Sequence, residues 1–88
     1  MRIKFIRQDG SELDKNLYWT VVDARTTWSD LVKKLSARLN GEYAVVRVYC
    51  QHRITYELGS LELLPIKGGD RDALVEMCVL PLRRSDNA

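Results

Sequence analysis

Thr27 to Leu61 constrains the fold of this 88-residue chain more than any other stretch. Trp28, Leu31, Val32, Leu35 and Leu39 fall at i, i+3, i+4, i+7 and i+11, which draws one apolar stripe along a helix. Thr27 followed by Asp30 has the spacing of a capping box, with Asp in place of Glu. Asp30 sits in the first turn and Lys33, Lys34 and Arg38 lie toward the end, as the helix dipole prefers. Asn40-Gly41 is a stop signal. The pattern predicts one helix over about residues 28–39 with a face to bury. Tyr43 to Cys50 follows as a Val/Tyr-rich strand, with Val46, Val48 and Cys50 expected on one face and Val45, Arg47 and Tyr49 on the other.

The flanking segments read as strands. Met1, Ile3 and Phe5 alternate with Arg2 and Lys4, the period of a half-buried strand. Gln8-Asp9-Gly10-Ser11 is a turn, Glu12 to Asn16 a polar loop, and Leu17 to Val22 a second strand. After Tyr43–Cys50 come a turn at Gln51-His52-Arg53 and a short strand, Ile54 to Tyr56. Leucines 58, 61, 63 and 64 mark an irregular stretch closed by Pro65, and Lys67-Gly68-Gly69-Asp70 is a further turn. Leu74 to Leu80 is the last strand, ended by Pro81. A short helix over Asp70 to Met77 is the alternative; the alternation of Val75, Met77 and Val79 favours the strand.

Size and charge narrow the function classes. The length suits one domain, residues 1–82, followed by a polar tail or linker start at 83–88. A net charge of +2, with basic residues scattered, argues against a nucleic-acid surface. No apolar run reaches membrane-spanning length, and Arg2, Lys4 and Arg7 interrupt the only apolar N-terminal stretch. Cys50 and Cys78 read as reduced thiols of a cytoplasmic or nuclear protein, with one disulfide between them as the other option. No cofactor or small-molecule substrate is implied.

The helix start Thr27-Trp-Ser-Asp-Leu-Val-Lys-Lys-Leu35 is similar to the capped helix of the ubiquitin family. Continuing without a gap, Arg47-Val48-Tyr49 falls on that family's arginine-leucine-isoleucine strand and Leu61 on the buried leucine of its final loop. The resemblance implies an α+β fold: a ubiquitin-like β-grasp, a mixed sheet of four to five strands on one main helix. It also implies a binding patch on the outer sheet face, with Tyr49 at the exposed isoleucine position and Met77 or Cys78 as its last-strand neighbour. The lysine most used for chain linkage falls on Arg53, which cannot form an isopeptide bond. The Gly-Gly conjugation tail is absent, since the chain ends Leu82-Arg83-Arg84-Ser85-Asp86-Asn87-Ala88. The resemblance therefore points to a built-in domain or adaptor rather than a conjugated modifier.

The candidate partner-binding residues are Tyr49, Lys4, Arg47, Trp19, Met77 and Cys78. Tyr49 offers apolar area with a hydroxyl. Trp19 stands outward in the gap-free register and would anchor a partner, unless a bulge turns it inward. Lys4 with Arg2 and Arg7 forms a small basic face. Arg2-Ile3-Lys4-Phe5 also resembles the lysine-bearing first strand of Phox-and-Bem-type domains, which would make the chain the basic side of a heterodimer. Cys50, His52 and Cys78 lack the paired spacings of a metal site and the constellation of an enzyme. The expected function is non-catalytic binding of a protein partner, a ubiquitin-receptor-like or other scaffold domain.

Overall fold

The computed structural model describes residues 1–14, 18–60 and 62–82, the side chain of Tyr18 excepted. Among the described residues five strands form one mixed sheet: β1 (Arg2–Arg7), β2 (Tyr18–Trp19), β3 (Tyr43–Cys50), β4 (Arg53–Glu57) and β5 (Leu74–Pro81), in the order β2-β1-β5-β3-β4. Only β1 and β5 run parallel; the other neighbours are antiparallel. The chain is therefore α+β, one helix against a mixed sheet.

The helix, α1 (Trp28–Ser36), starts where the capping signal places it. Thr27 Oγ1 accepts from the Asp30 N–H at 3.1 Å, and the Asp30 carboxylate accepts from the Thr27 N–H at 3.3 Å. The last turn tightens into a 3-10 segment, Ala37–Leu39. Asn40 (φ 55°) and Gly41 (φ 74°) then end it in left-handed geometry. Trp28, Leu31, Val32, Leu35 and Leu39 are all buried. They meet Ile3 and Phe5 of β1, Val45, Val48 and Cys50 of β3, and Val75, Met77 and Val79 of β5 in one core. Each large apolar side chain so buried contributes about 1.5–3 kcal/mol relative to exposure.

The stretch after β4 folds back onto the helix start. The Trp28 N–H donates to Leu64 O (3.1 Å) and the Ile66 N–H to Thr26 O (3.4 Å), which carries Ile66 into the core. Leu58, Leu63 and Leu64 stay exposed; Leu61 lies outside the described residues.

Three expectations are corrected, and a fourth holds. Of the strand expected over Leu17–Val22, Leu17 lies outside the described residues, and among the rest only Tyr18–Trp19 pair as a strand. Thr20 still bonds to Met1, but Val21 is 91% exposed and Val22 tucks against the core. In β3 the register shifts between Val45 and Arg47, so Val45 is buried and Val46 only half-buried, reversing those two. Such a bulge adds one residue to a strand and flips the alternation beyond it. The strand expected over Ile54–Tyr56 extends over Arg53–Glu57, joined to β3 through Gln51 (φ 52°) and His52 (φ 66°). Two central residues with positive φ are the geometry of a tight hairpin turn, here built without glycine. Between Asp70 and Met77 the strand reading holds from Leu74 onward, preceded by a 3-10 turn at Gly68–Asp70.

Candidate interaction surface

The helix covers one face of the sheet and leaves the other open. The open face carries rows set by strand register: Lys4 beside Glu76 beside Tyr49 beside Ile54, and Ile6 beside Cys78 beside Arg47 beside Glu57. Ile6 and Cys78 of the second row, with Tyr49, floor a shallow groove. Its walls are the β1 turn, Gln8 and Gly10, and the end of β4, where Leu58 is 60% exposed. Gly10 takes φ 91° in that turn. Asp9 braces it by accepting from the Ser11 N–H and Oγ–H at 2.9 and 2.6 Å. The Ser11 hydroxyl bond holds the Asp9 carboxyl below its ordinary value.

Arg47 is fixed on the rim. One guanidinium nitrogen donates to the Tyr49 hydroxyl at 3.3 Å and the other reaches Glu57 at 2.9 Å. The Tyr49 bond, then Glu57, favours its charged form. Arg47 Nε is buried with no partner. At the other rim Arg7 Nη1 donates to Ser11 Oγ (3.2 Å) and Glu12 O (3.1 Å). The groove thus has an apolar floor of Ile6, Tyr49 and Cys78, with Leu58 on one wall, inside a polar rim.

Of the residues expected to bind a partner, Tyr49, Arg47 and Cys78 converge here. Lys4 stands one row away, half-buried and tied to Glu12 at 2.9 Å, so it is not a free basic anchor. Trp19 does face outward, 70% exposed, but at the far edge of the sheet with Arg2 over its ring at 5.8 Å. Met77 is corrected outright. It is fully buried, because pairing with Phe5 and Val48 turns its side chain to the helix.

Cys50, His52 and Cys78 do not gather. Cys50 is buried on the helix side, Cys78 lies on the open face, and His52 sits in the exposed hairpin turn; both cysteines are free thiols. Among the described residues no three His, Cys, Asp or Glu side chains are placed to hold a metal ion, and no helix is long and apolar enough to cross a membrane.

Ile6 and Leu58 were missed as groove residues. Ile6 did leave a signal, as an apolar residue on the otherwise polar parity of β1. Leu58 left none, since its place depends on the turn after β4. Comparison with protein-family models, curated proteins and solved structures finds no match for this chain.

Proposed function

We propose that this chain is a non-catalytic protein-interaction module of ubiquitin-like, β-grasp type. It docks a partner in the groove of Ile6, Arg47, Tyr49, Leu58 and Cys78. The observation that carries this reading is the groove itself. The half-buried Tyr49 ring and Ile6 side chain, with the exposed Leu58, line it within a rim of ion-paired arginine and turn backbone. An apolar centre ringed by polar groups is the common anatomy of protein interfaces. The β-grasp assignment is supported by the capped helix against the sheet and by the strand order with a parallel β1–β5 pair at its centre. Free thiols fit a cytoplasmic or nuclear setting.

Amide chemical-shift mapping against ubiquitin-receptor domains tests the proposal. Shifts should cluster on Ile6, Arg47, Tyr49, Leu58 and Cys78 and vanish with Tyr49→Ala. Shifts confined to the exposed side of α1 would overturn it. The Phox-and-Bem-type alternative would require Lys4 to leave Glu12, and Lys4→Ala would then abolish binding while Tyr49→Ala would not.

A further inference from the structure

The charges around the groove do not balance. Of the residues that line it, three are charged: Arg7, Arg47 and Glu57. Glu57 lies directly across the strands from Arg47 and is taken up by it, at 2.9 Å. Even that pairing is partial. The carboxylate accepts from Nη2, while Nε, on the same edge of the guanidinium, is buried without a partner. A guanidinium edge of this kind is a fork that a carboxylate can fill at both prongs. Arg7 is less well matched still. Among the described residues its guanidinium bonds only to neutral oxygens, Ser11 Oγ and Glu12 O. The Asp9 carboxylate feels the Arg7 charge, but Ser11 holds it through two hydrogen bonds.

This imbalance limits what can cover the groove. A partner seated on Ile6, Tyr49 and Cys78 takes water from both arginines, and a cation left dry without a counter-charge opposes the complex. Glu57 answers for Arg47 but not for Arg7, so a fitting occupant brings a negative charge of its own. Register sets where that charge falls. Arg7 follows Ile6 at the end of β1, Cys78 lies on the next strand, and Tyr49 and Arg47 lie on the strand beyond. Across the sheet these positions are about 5 and 10 Å from β1. Same-side residues of an extended segment recur every ~7 Å, so an acid followed by apolar residues at the next same-side places spans the groove.

We propose that the groove takes an extended acidic and apolar segment of another protein, its Asp or Glu carboxylate on Arg7 and its apolar side chains over Cys78 and Tyr49. This rests on the groove being the docking site and adds the chemistry of what enters it. Glu57 acts as an internal competitor: it repels the incoming acid and keeps the second guanidinium, Arg47, occupied. Lys4 takes no part, since Glu12 holds it a row away at 2.9 Å. Both arginines stand at a partly exposed rim, so the charge selects the partner more than it sets the total affinity.

Amide shifts of the whole chain, titrated with the capped peptide Asp-Ser-Leu-Ser-Leu and with its Asn-first and Lys-first counterparts, test this. The Asp peptide should shift Ile6, Arg7, Tyr49 and Cys78. It should bind about tenfold tighter than the Asn peptide, the size expected of one charged hydrogen bond. The Lys peptide should bind more weakly than either. Arg7→Gln should erase the difference between the Asp and Asn peptides, Glu57→Gln should widen it, and Lys4→Ala should leave it unchanged. If Arg7→Gln unsettles its turn, Glu57→Gln on the opposite wall decides. Equal binding of the Asp and Asn peptides in the groove, or a preference that survives Arg7→Gln, would overturn the inference and leave the groove reading standing. Asp-peptide shifts centred away from the groove would overturn both. An Asp peptide that fails to bind at millimolar concentration would overturn the inference, as would groove shifts that follow protein concentration alone, the sign of a second copy there.

Discussion

Arg53 at the start of β4 reaches Asp70, in the turn before β5, at 3.0 Å, with the arginine half-exposed and the carboxylate almost wholly buried. The contact crosses seventeen residues and pins the Gly68–Asp70 turn against the β3–β4 hairpin. Arg53→Ala leaves a buried carboxylate without its cation and should cost about 1–3 kcal/mol in urea unfolding, toward the lower end because solvent reaches the guanidinium. Asp70→Ala should cost less in the Arg53→Ala background than in the wild type. Equal costs would show that the two residues are not coupled.

Cys50 lies beside this pair. Burial first, then the nearby Asp70 charge, pushes its thiol from the ordinary 9.0 up to about 11. The folded chain keeps that proton where the unfolded chain releases it, so this contribution to stability is complete below pH 9.0 and declines toward about 11. Cys50→Ala should flatten that part of the stability–pH curve. Burial also raises the Cys78 thiol, but Cys78 is on the open face and should be alkylated first under native conditions.

The Thr27 cap is a local device with a local cost. Thr27→Ala should lose about 1 kcal/mol by removing the acceptor for the Asp30 N–H. Thr27→Ser should recover most of it. Thermal or urea midpoints measure both.

Gln51 and His52 hold positive φ without being glycine. Replacing the pair by Asn-Gly, which suits this turn, should stabilise the chain by about 1 kcal/mol. Unchanged stability would mean that the present turn carries little strain.

Met77 and Tyr49 should behave oppositely. Met77→Ala opens a cavity in the core and should cost about 2–5 kcal/mol. Tyr49→Ala should cost no more than about 1 kcal/mol yet remove partner binding at the groove. Denaturation alongside shift mapping separates the two effects.

The helix and its cap were legible because every signal they use lies within one short segment, Thr27 to Gly41. Stripe, cap, charge order and stop all act along one segment, and tertiary contacts only added the tight last turn. The convergence of Tyr49, Arg47 and Cys78 was partly legible, since each lies on a strand that alternation could identify. Which parity meets the helix was legible in β1, where Met1, Ile3 and Phe5 are buried as expected, but not in β3 or β5. One extra residue at Val45–Arg47 exchanged the roles of Val45 and Val46, and pairing with Phe5 and Val48 turned Met77 inward.

The sequence by itself determined the helix and the longer strands, because hydrophobic period and capping are properties of neighbouring residues. Only the tertiary structure decided which side chains reach solvent. The bulge in β3 and the contact from Arg53 to Asp70 depend on residues far apart in the chain, so no local pattern contains them.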